Sequence, residues 1–159
     1  MSRSATKKYF IGLLALLLLF CFRMAAQLIQ AFYPVDFLPP FEEWHSGVMP
    51  YNLLVTCQVV VLAGCTNVVV KFARFKTTPN YKAGRFYLAA GAVYFTVILC
   101  RMIVAATLVT EIRWFNTEIP NFFHLVLASF LLVMGRFHFK YGKQIKKGEQ
   151  RLKPQKRHS

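Results

Sequence analysis

The sequence predicts an all-α integral membrane protein, a four-helix bundle with both termini on the cytoplasmic side. Hydrophobic residues make up 56% of the 159-residue chain, whereas soluble domains contain roughly 45–50%. Four apolar stretches lie near residues 9–33, 50–70, 86–110 and 120–139. Each is close to the length of roughly 20 residues that a helix needs to cross the hydrocarbon layer.

The orientation follows from the basic residues. All but three of the 20 lysines and arginines precede the first span, separate the second span from the third, or lie at or beyond the end of the fourth. Arg113 lies on the opposite side, with five of the six acidic residues. The sixth, Glu149, lies after the fourth span. Because lysine and arginine in short loops stay on the cytoplasmic face during insertion, both termini are predicted to be cytoplasmic.

The first span begins at Tyr9, directly after Lys7 and Lys8. A cleavable signal peptide starts in the same way, with a basic segment followed by an apolar one. However, Arg23 interrupts the approach to a cleavage site, and apolar character resumes through Phe32. The pattern therefore favours a helix that is retained.

Proline and polar residues mark the connections. Tyr33–Met49 forms the first outer connection, in which several prolines prevent a continuous helix. Phe75–Gly84 forms the inner turn, and Ile112–Ile119 forms the second outer connection. Pro50 and Pro120 suit the first turns of the second and fourth helices, where a missing N–H has no cost.

Small residues are concentrated at the start of the third helix, where they permit close approach between helices in lipid. They are Ala83, Gly84, Ala89, Ala90, Gly91 and Ala92. We therefore expect the third helix to lie at the centre of the bundle.

Two regions are predicted: a four-transmembrane-helix domain over residues 1–141 and a disordered basic cytoplasmic tail over residues 142–159. The tail has no apolar face to bury. The net charge of +14 is divided among three segments beside the membrane, so its expected partners are the lipid bilayer and anionic headgroups of the cytoplasmic leaflet. No nucleic-acid partner is expected.

Two arginines lie within the apolar runs at similar depth. Arg23 is 14 residues beyond Tyr9, and Arg101 is 15 beyond Phe86. At the rise of an α-helix, both lie roughly 21–23 Å from the inner boundary. The polar residues that approach this depth are Arg23, Gln27 and Gln30 on the first helix, Asn52 and Thr56 on the second, Arg101 on the third, and Asn121 and His124 on the fourth.

These side chains allow two interpretations. As a site, Arg23, Gln27, Gln30, Asn52, Arg101, Asn121 and His124 would converge on a pocket in the outer leaflet. As structural groups, the arginines would extend to the outer headgroups or pair with Glu42, Glu43, Glu111 or Glu118. A charged side chain within lipid costs several kcal/mol, so both interpretations require partners for the arginines.

No cofactor or metal is expected. His124 and His138 lie 14 residues apart on one helix face, but bis-histidine haem ligation would need partners on another helix, and only His45 is available to His124. Glu42, Glu43 and His45 lack the spaced further ligands of a zinc site. All four cysteines fall inside apolar runs without a Cys-x-x-Cys motif, which predicts free thiols and argues against thiol oxidoreductases.

No catalytic motif is present. The sequence therefore favours a non-enzymatic accessory or assembly partner of a larger membrane complex. The alternative is a small membrane enzyme or carrier that binds an anionic, quinone-like or lipid-like amphiphile in a pocket lined by Arg23, Arg101 and His124. Both functions fit a multi-pass protein of a bacterial inner membrane or of a eukaryotic membrane.

Overall fold

The computed structural model describes residues 3–44, 49–107 and 118–152, and all regular structure within these ranges is helical. The four long helices are α1 (Arg3–Phe32), α2 (Tyr51–Ala73), α3 (Tyr81–Thr107) and α4 (Glu118–Leu152), and a short 3-10 helix covers Phe41–Glu43. All four long helices are long and apolar enough to cross a membrane. The predicted all-α class is thus confirmed, and the described chain has the four long apolar helices that a multi-pass membrane protein requires.

Local capping sets two of the helix starts. Helix α3 begins at Tyr81, before the predicted position 86, because the Asn80 side-chain oxygen accepts the backbone N–H groups of Lys82 and Ala83 at 2.9 and 3.3 Å. Helix α2 follows Pro50, whose carbonyl accepts the N–H of Leu54 at 3.1 Å. Residues 108–110 of the third predicted span lie outside the described residues, as does most of the second outer connection.

Helix α4 continues to Leu152, which corrects the expectation that the chain is disordered from residue 142. A Cβ atom on Gly142 would lie only 2.4 Å from the backbone nitrogen of Tyr81. The glycine therefore lets α4 pack against the start of α3 beyond the last apolar run, and the lysines and glutamines that follow are good helix formers. Residues 153–159 of the predicted tail lie outside the described residues.

The helices pack in the order α2, α1, α4, α3. Helix α1 contacts α2 and α4, and α4 also contacts α3. Within the described ranges α2 and α3 do not pack against each other. Helices α1 and α4 are therefore central, and the expectation that the third helix occupies the centre is wrong.

Helices α3 and α4 approach closely enough for their backbones to touch. A Cβ atom on Gly84 would lie 2.3 Å from the backbone nitrogen of Phe139, and one on Gly135 would lie 2.7 Å from that of Leu88. Gly142 meets the backbone of Tyr81 in the same way, whereas an added Cβ atom on Gly91 would lie 3.0 Å from the Leu132 side chain. We call these four glycines the glycine seam. The close approach predicted from the small residues of the third helix is thus present, with α4 as the partner.

The apolar core lies near the end of the molecule that carries the start of α1 and the end of α4, here called the terminal end. Its buried residues are Leu13, Leu17, Val69, Phe72, Phe130, Met134 and Phe137. The ring centroid of Phe137 lies 4.6 Å from that of Phe72 and 5.3 Å from that of Tyr9. The buried polar side chains are found mainly at the opposite end, the loop end, which carries the α1–α2 connection.

Candidate functional site

A cavity of about 290 Å³ lies at the loop end, where α1, α2 and α4 diverge. We call it the Arg23 cavity. Its lining residues are Phe20, Arg23, Trp44, Met49, Leu54, Cys57, Gln58, Val61, Tyr94, Pro120, Phe123, His124 and Leu127. Most of the wall is apolar, and the polar groups come from Arg23, Gln58, Tyr94 and His124.

Arg23 is the charged group of the wall. Its side chain is only 4% exposed. One terminal guanidinium nitrogen donates to the Trp44 carbonyl at 3.0 Å, and the guanidinium carbon lies 5.5 Å from the ring centroid of Phe123. Its Nε has no hydrogen-bond partner, and no carboxylate among the described side chains lies within ion-pair distance. Arg23 thus offers a buried positive charge and an unused donor.

The α1–α2 connection closes one side of the cavity through Trp44. This side chain is 4% exposed, and its indole N–H donates to the Pro39 carbonyl at 2.9 Å. Because the Trp44 carbonyl also accepts from Arg23, one residue joins the connection to α1. The acidic residues beside it, Glu42 and Glu43, are exposed and do not neutralise the arginine.

His124 is held in place by α3. The Tyr94 hydroxyl and His124 Nδ1 are 2.6 Å apart, and their ring centroids are separated by 5.9 Å. With the phenol as donor, Nδ1 is the acceptor and Nε2 carries the proton, so Nε2–H can donate to a ligand.

Two glutamines link α1 to α2 beside the cavity. Gln58 Nε2 donates to Gln27 Oε1 at 3.2 Å. Gln58 lines the cavity, whereas Gln27 is 1% exposed and lies behind the wall. Gln30, one turn further along α1, accepts the backbone N–H of Val35 at 3.1 Å. These bonds fix the loop end of α1 around Arg23.

The structure brings the predicted site residues only partly together. Arg23 and His124 line the cavity. Gln27, Gln30, Arg101 and Asn121 are buried, with exposed fractions of 1, 7, 8 and 2%, but they are not part of its wall. Both arginines are thus buried in the protein instead of extending towards lipid.

Asn52 faces away from the cavity. Its side chain is exposed, and its own carbonyl accepts the Thr56 hydroxyl at 2.8 Å. The α2 residues of the wall include Leu54 and Gln58, and Asn52 lies about 160° from Leu54 and about 120° from Gln58 around the helix. Asn52 therefore lies at the depth of the Arg23 cavity, but on a face of α2 that points away from it.

Among the wall residues that the sequence did not predict, three have hydrogen-bonded side chains: Trp44, Gln58 and Tyr94. Gln58 had a usable signal, because an amide within the apolar run 50–70 requires a buried partner. Tyr94 resembled any other aromatic residue of a membrane helix, and its pairing with His124 depends on the packing of α3 against α4. Trp44 lines the cavity because of the way the α1–α2 connection folds. Helical periodicity does not predict the fold of such a connection.

No group of three or more histidine, cysteine or acidic side chains in the described parts of the chain is arranged to hold a metal ion. His138 accepts the backbone N–H of Asn80 at 3.2 Å, so one of its ring nitrogens is engaged at the start of α3. His45, which the haem alternative requires, lies outside the described residues.

No protein-family model, curated protein or solved structure matches this chain.

Proposed function

We propose that this protein is an integral membrane four-helix bundle that binds an amphiphile with an anionic head group in the Arg23 cavity. The observation that carries this function is Arg23 itself. Its guanidinium is 4% exposed and lines the cavity, and its Nε donor is unused. A buried charge without a counter-charge is costly, and an anionic ligand would remove that cost.

The hydrogen-bonding groups favour an acceptor as ligand. The guanidinium of Arg23 presents a planar array of donors that matches a carboxylate or phosphate. His124 adds an N–H donor when Tyr94 engages its other nitrogen. No carboxylate belongs to the wall as far as the chain is described, so none of these wall residues repels an anion.

The size and shape of the cavity favour an amphiphile. About 290 Å³ is at the lower limit of ligand sites, which usually measure roughly 300–1,000 Å³. A head group and the first part of a chain would fill it. Because the described parts of α2 and α3 do not pack together, an apolar tail can leave between them into the surrounding lipid.

We infer that both termini face the cytoplasm, which places the Arg23 cavity in the outer leaflet. The distribution of basic residues supports this orientation. Single cysteines at Ser46 and Lys147, in a cysteine-free background, can be treated with an impermeant thiol reagent on intact cells. We expect labelling at Ser46 only. Labelling at Lys147 but not at Ser46 would reverse the orientation.

The ligand is tested by titrating the purified protein in mild detergent with oleate and with neutral methyl oleate. We expect oleate to bind and Arg23→Leu to weaken binding about 10- to 100-fold, since a hydrogen bond to a charged group contributes about 1.5–3 kcal/mol. The variant should remain folded, because leucine removes a desolvation cost. Arg74→Leu makes the same change at an exposed position at the end of α2, outside the Arg23 cavity, and should leave oleate affinity unchanged.

Three results would overturn this function. Equal binding of oleate and methyl oleate would show that the charge of Arg23 is not used for recognition. Failure of any amphiphile to bind, together with a protein that co-purifies in stoichiometric amount, would favour the competing function of an accessory subunit. An equal loss of oleate binding in both arginine variants would point to general surface charge.

A further inference from the structure

A second concave surface lies at the terminal end, on the opposite side of the bundle from the Arg23 cavity. It is a groove of about 530 Å³ between α3 and α4. Its lining residues are Leu88, Arg136, Phe139, Lys140, Lys143, Gln144 and Lys147. We call it the basic groove. It exists because α4 continues as a helix beyond residue 142.

Four cations form a single line along the groove. Arg136, Lys140, Lys143 and Lys147 follow a spacing of four, three and four residues, which keeps them within about 60° of one another around the helix. The line is about 16 Å long at the rise of an α-helix. Like charges on successive turns disfavour a helix, so an anion bound along this line would stabilise it.

Nothing in the protein compensates these charges among the described side chains. Helix α4 contains no acidic residue from Ile119 to Gly148. The described acidic side chains are Asp36, Glu42 and Glu43, and all three lie in the α1–α2 connection at the loop end. The adjoining start of α3 adds only basic charge, through Lys82 and Arg85. Among the side chains that the structure describes, the positive field of the groove therefore has no acidic partner.

The floor of the groove is apolar. Leu88 of α3 and Phe139 of α4 line the groove beside the cations, and the Lys143 ammonium is 6.0 Å from the Phe139 ring centroid. A soluble anion would gain nothing from this floor, whereas the glycerol and first methylenes of a lipid would cover it. The groove thus combines a cationic rim with a surface suited to an acyl chain.

We propose that the basic groove binds a phospholipid whose head group carries two or more phosphates. One phosphate can reach only part of a line of four cations about 16 Å long, whereas several phosphates can contact three or all four. This site depends on the membrane topology inferred above, since the cytoplasmic leaflet is the anionic one. It does not depend on the Arg23 cavity or its ligand.

The full-length protein in detergent can be titrated by calorimetry with four probes. Two are lipids with several phosphates, dioctanoyl phosphatidylinositol bisphosphate and a short-chain cardiolipin. The third is dioctanoyl phosphatidylserine, which has one phosphate, and the fourth is inorganic pyrophosphate. We expect at least one of the first two to bind at least 10-fold more tightly than either of the others.

A double variant locates the site. Lys140→Gln with Lys143→Gln should weaken binding of the preferred lipid about 30-fold, which corresponds to about 1 kcal/mol per lysine. Lys7→Gln with Lys8→Gln removes the same charge from exposed positions on α1 at the same end and should change the affinity less than 3-fold. Arg23→Leu should leave this binding unchanged, whatever its effect on oleate.

Three results would overturn the site. Equal losses in the two double variants would show that only the net charge attracts lipid. Equal affinity for phosphatidylserine would remove the requirement for several phosphates. Binding of pyrophosphate as tight as that of the lipids would identify a soluble anion as the ligand.

Discussion

Helices α3 and α4 form one antiparallel pair, and helices α1 and α2 form another, but the two pairs are held together differently. In the first pair the backbones meet at the glycine seam, and a Cβ atom added at Gly84 would lie 2.3 Å from the Phe139 nitrogen. In the second pair, Gly64 of α2 has no atom within 4 Å of an added Cβ. There the helices meet through side chains, among them the Gln27–Gln58 hydrogen bond.

Because of this difference, the α3–α4 pair acts as the scaffold of the molecule, and the α1–α2 pair leaves room for the site. Apolar side chains gain little by leaving lipid for a protein interior, so close backbone contact is a main source of helix association in a membrane. The α3–α4 pair has such contact along much of its length. Among the described elements the backbone of α2 comes close only to that of α1, although Phe72 of α2 packs against Phe137 of α4 near the terminal end. The space left at the loop end is the Arg23 cavity.

The largest effect is expected from Gly84→Ala. The new methyl group would meet the backbone of α4, which no side-chain rotation can relieve. Overpacking of this kind costs about 1–3 kcal/mol or more. Thermal unfolding in mild detergent should show a clear loss of stability. Gly64→Ala, the matched change on α2, should be neutral or stabilising by up to about 1 kcal/mol, because alanine is the better helix former.

Gly148→Ala provides a second control, since Gly148 lies near the end of α4 with no atom within 4 Å of an added Cβ. It separates a clash at the seam from a general effect of changing glycine on α4. If Gly84→Ala were as stable as Gly64→Ala, the close contact of α3 and α4 would not be the main support of the fold. The distinction between scaffold and site would then fail.

The sequence predicted well how deep a polar residue lies along its helix, but poorly which face of the helix it occupies. Position in the apolar runs placed Arg23 and His124 at similar depth, and both line the cavity. The same reasoning placed Asn52 at the site, although its face of α2 points away. Which face turns inward depends on which helix is the neighbour, and the packing order is a long-range property that periodicity does not contain.

The same limit explains the error about the centre of the molecule. The small residues at the start of the third helix correctly indicated close contact, but contact with one partner does not make a helix central. The matching glycines are Gly135, which lies in the fourth predicted span, and Gly142, which lies at the start of the predicted disordered tail. Their seven-residue spacing equals that of Gly84 and Gly91, and this shared spacing was the available sign of the seam.

The smallest effect is expected at the α1–α2 pair, from the hydrogen bond between Gln27 and Gln58. Interhelical hydrogen bonds within membranes contribute on average about 0.6 kcal/mol. Gln27→Leu should destabilise the protein slightly, because it leaves the buried Gln58 amide without its acceptor. The double variant with Gln58→Leu should cost less than the sum of the two single changes, since neither helix then buries an amide without a partner. Unfolding measurements on all four proteins give the coupling energy.

A parallel cycle with Gln30→Leu and Gln58→Leu is the matched control, because Gln30 is equally buried on α1 but bonds to the N–H of Val35. The effects of Gln30→Leu and Gln58→Leu should add.

A coupling of several kcal/mol between Gln27 and Gln58 would mean that α1 and α2 are joined as firmly as α3 and α4, by polar contact instead of backbone contact. A small coupling, well below the cost of Gly84→Ala, would leave α2 as the helix that can move to admit a ligand. The rate of oleate binding in Gln27→Leu would then exceed that of the unmodified protein, because a weaker α1–α2 contact opens the path between α2 and α3.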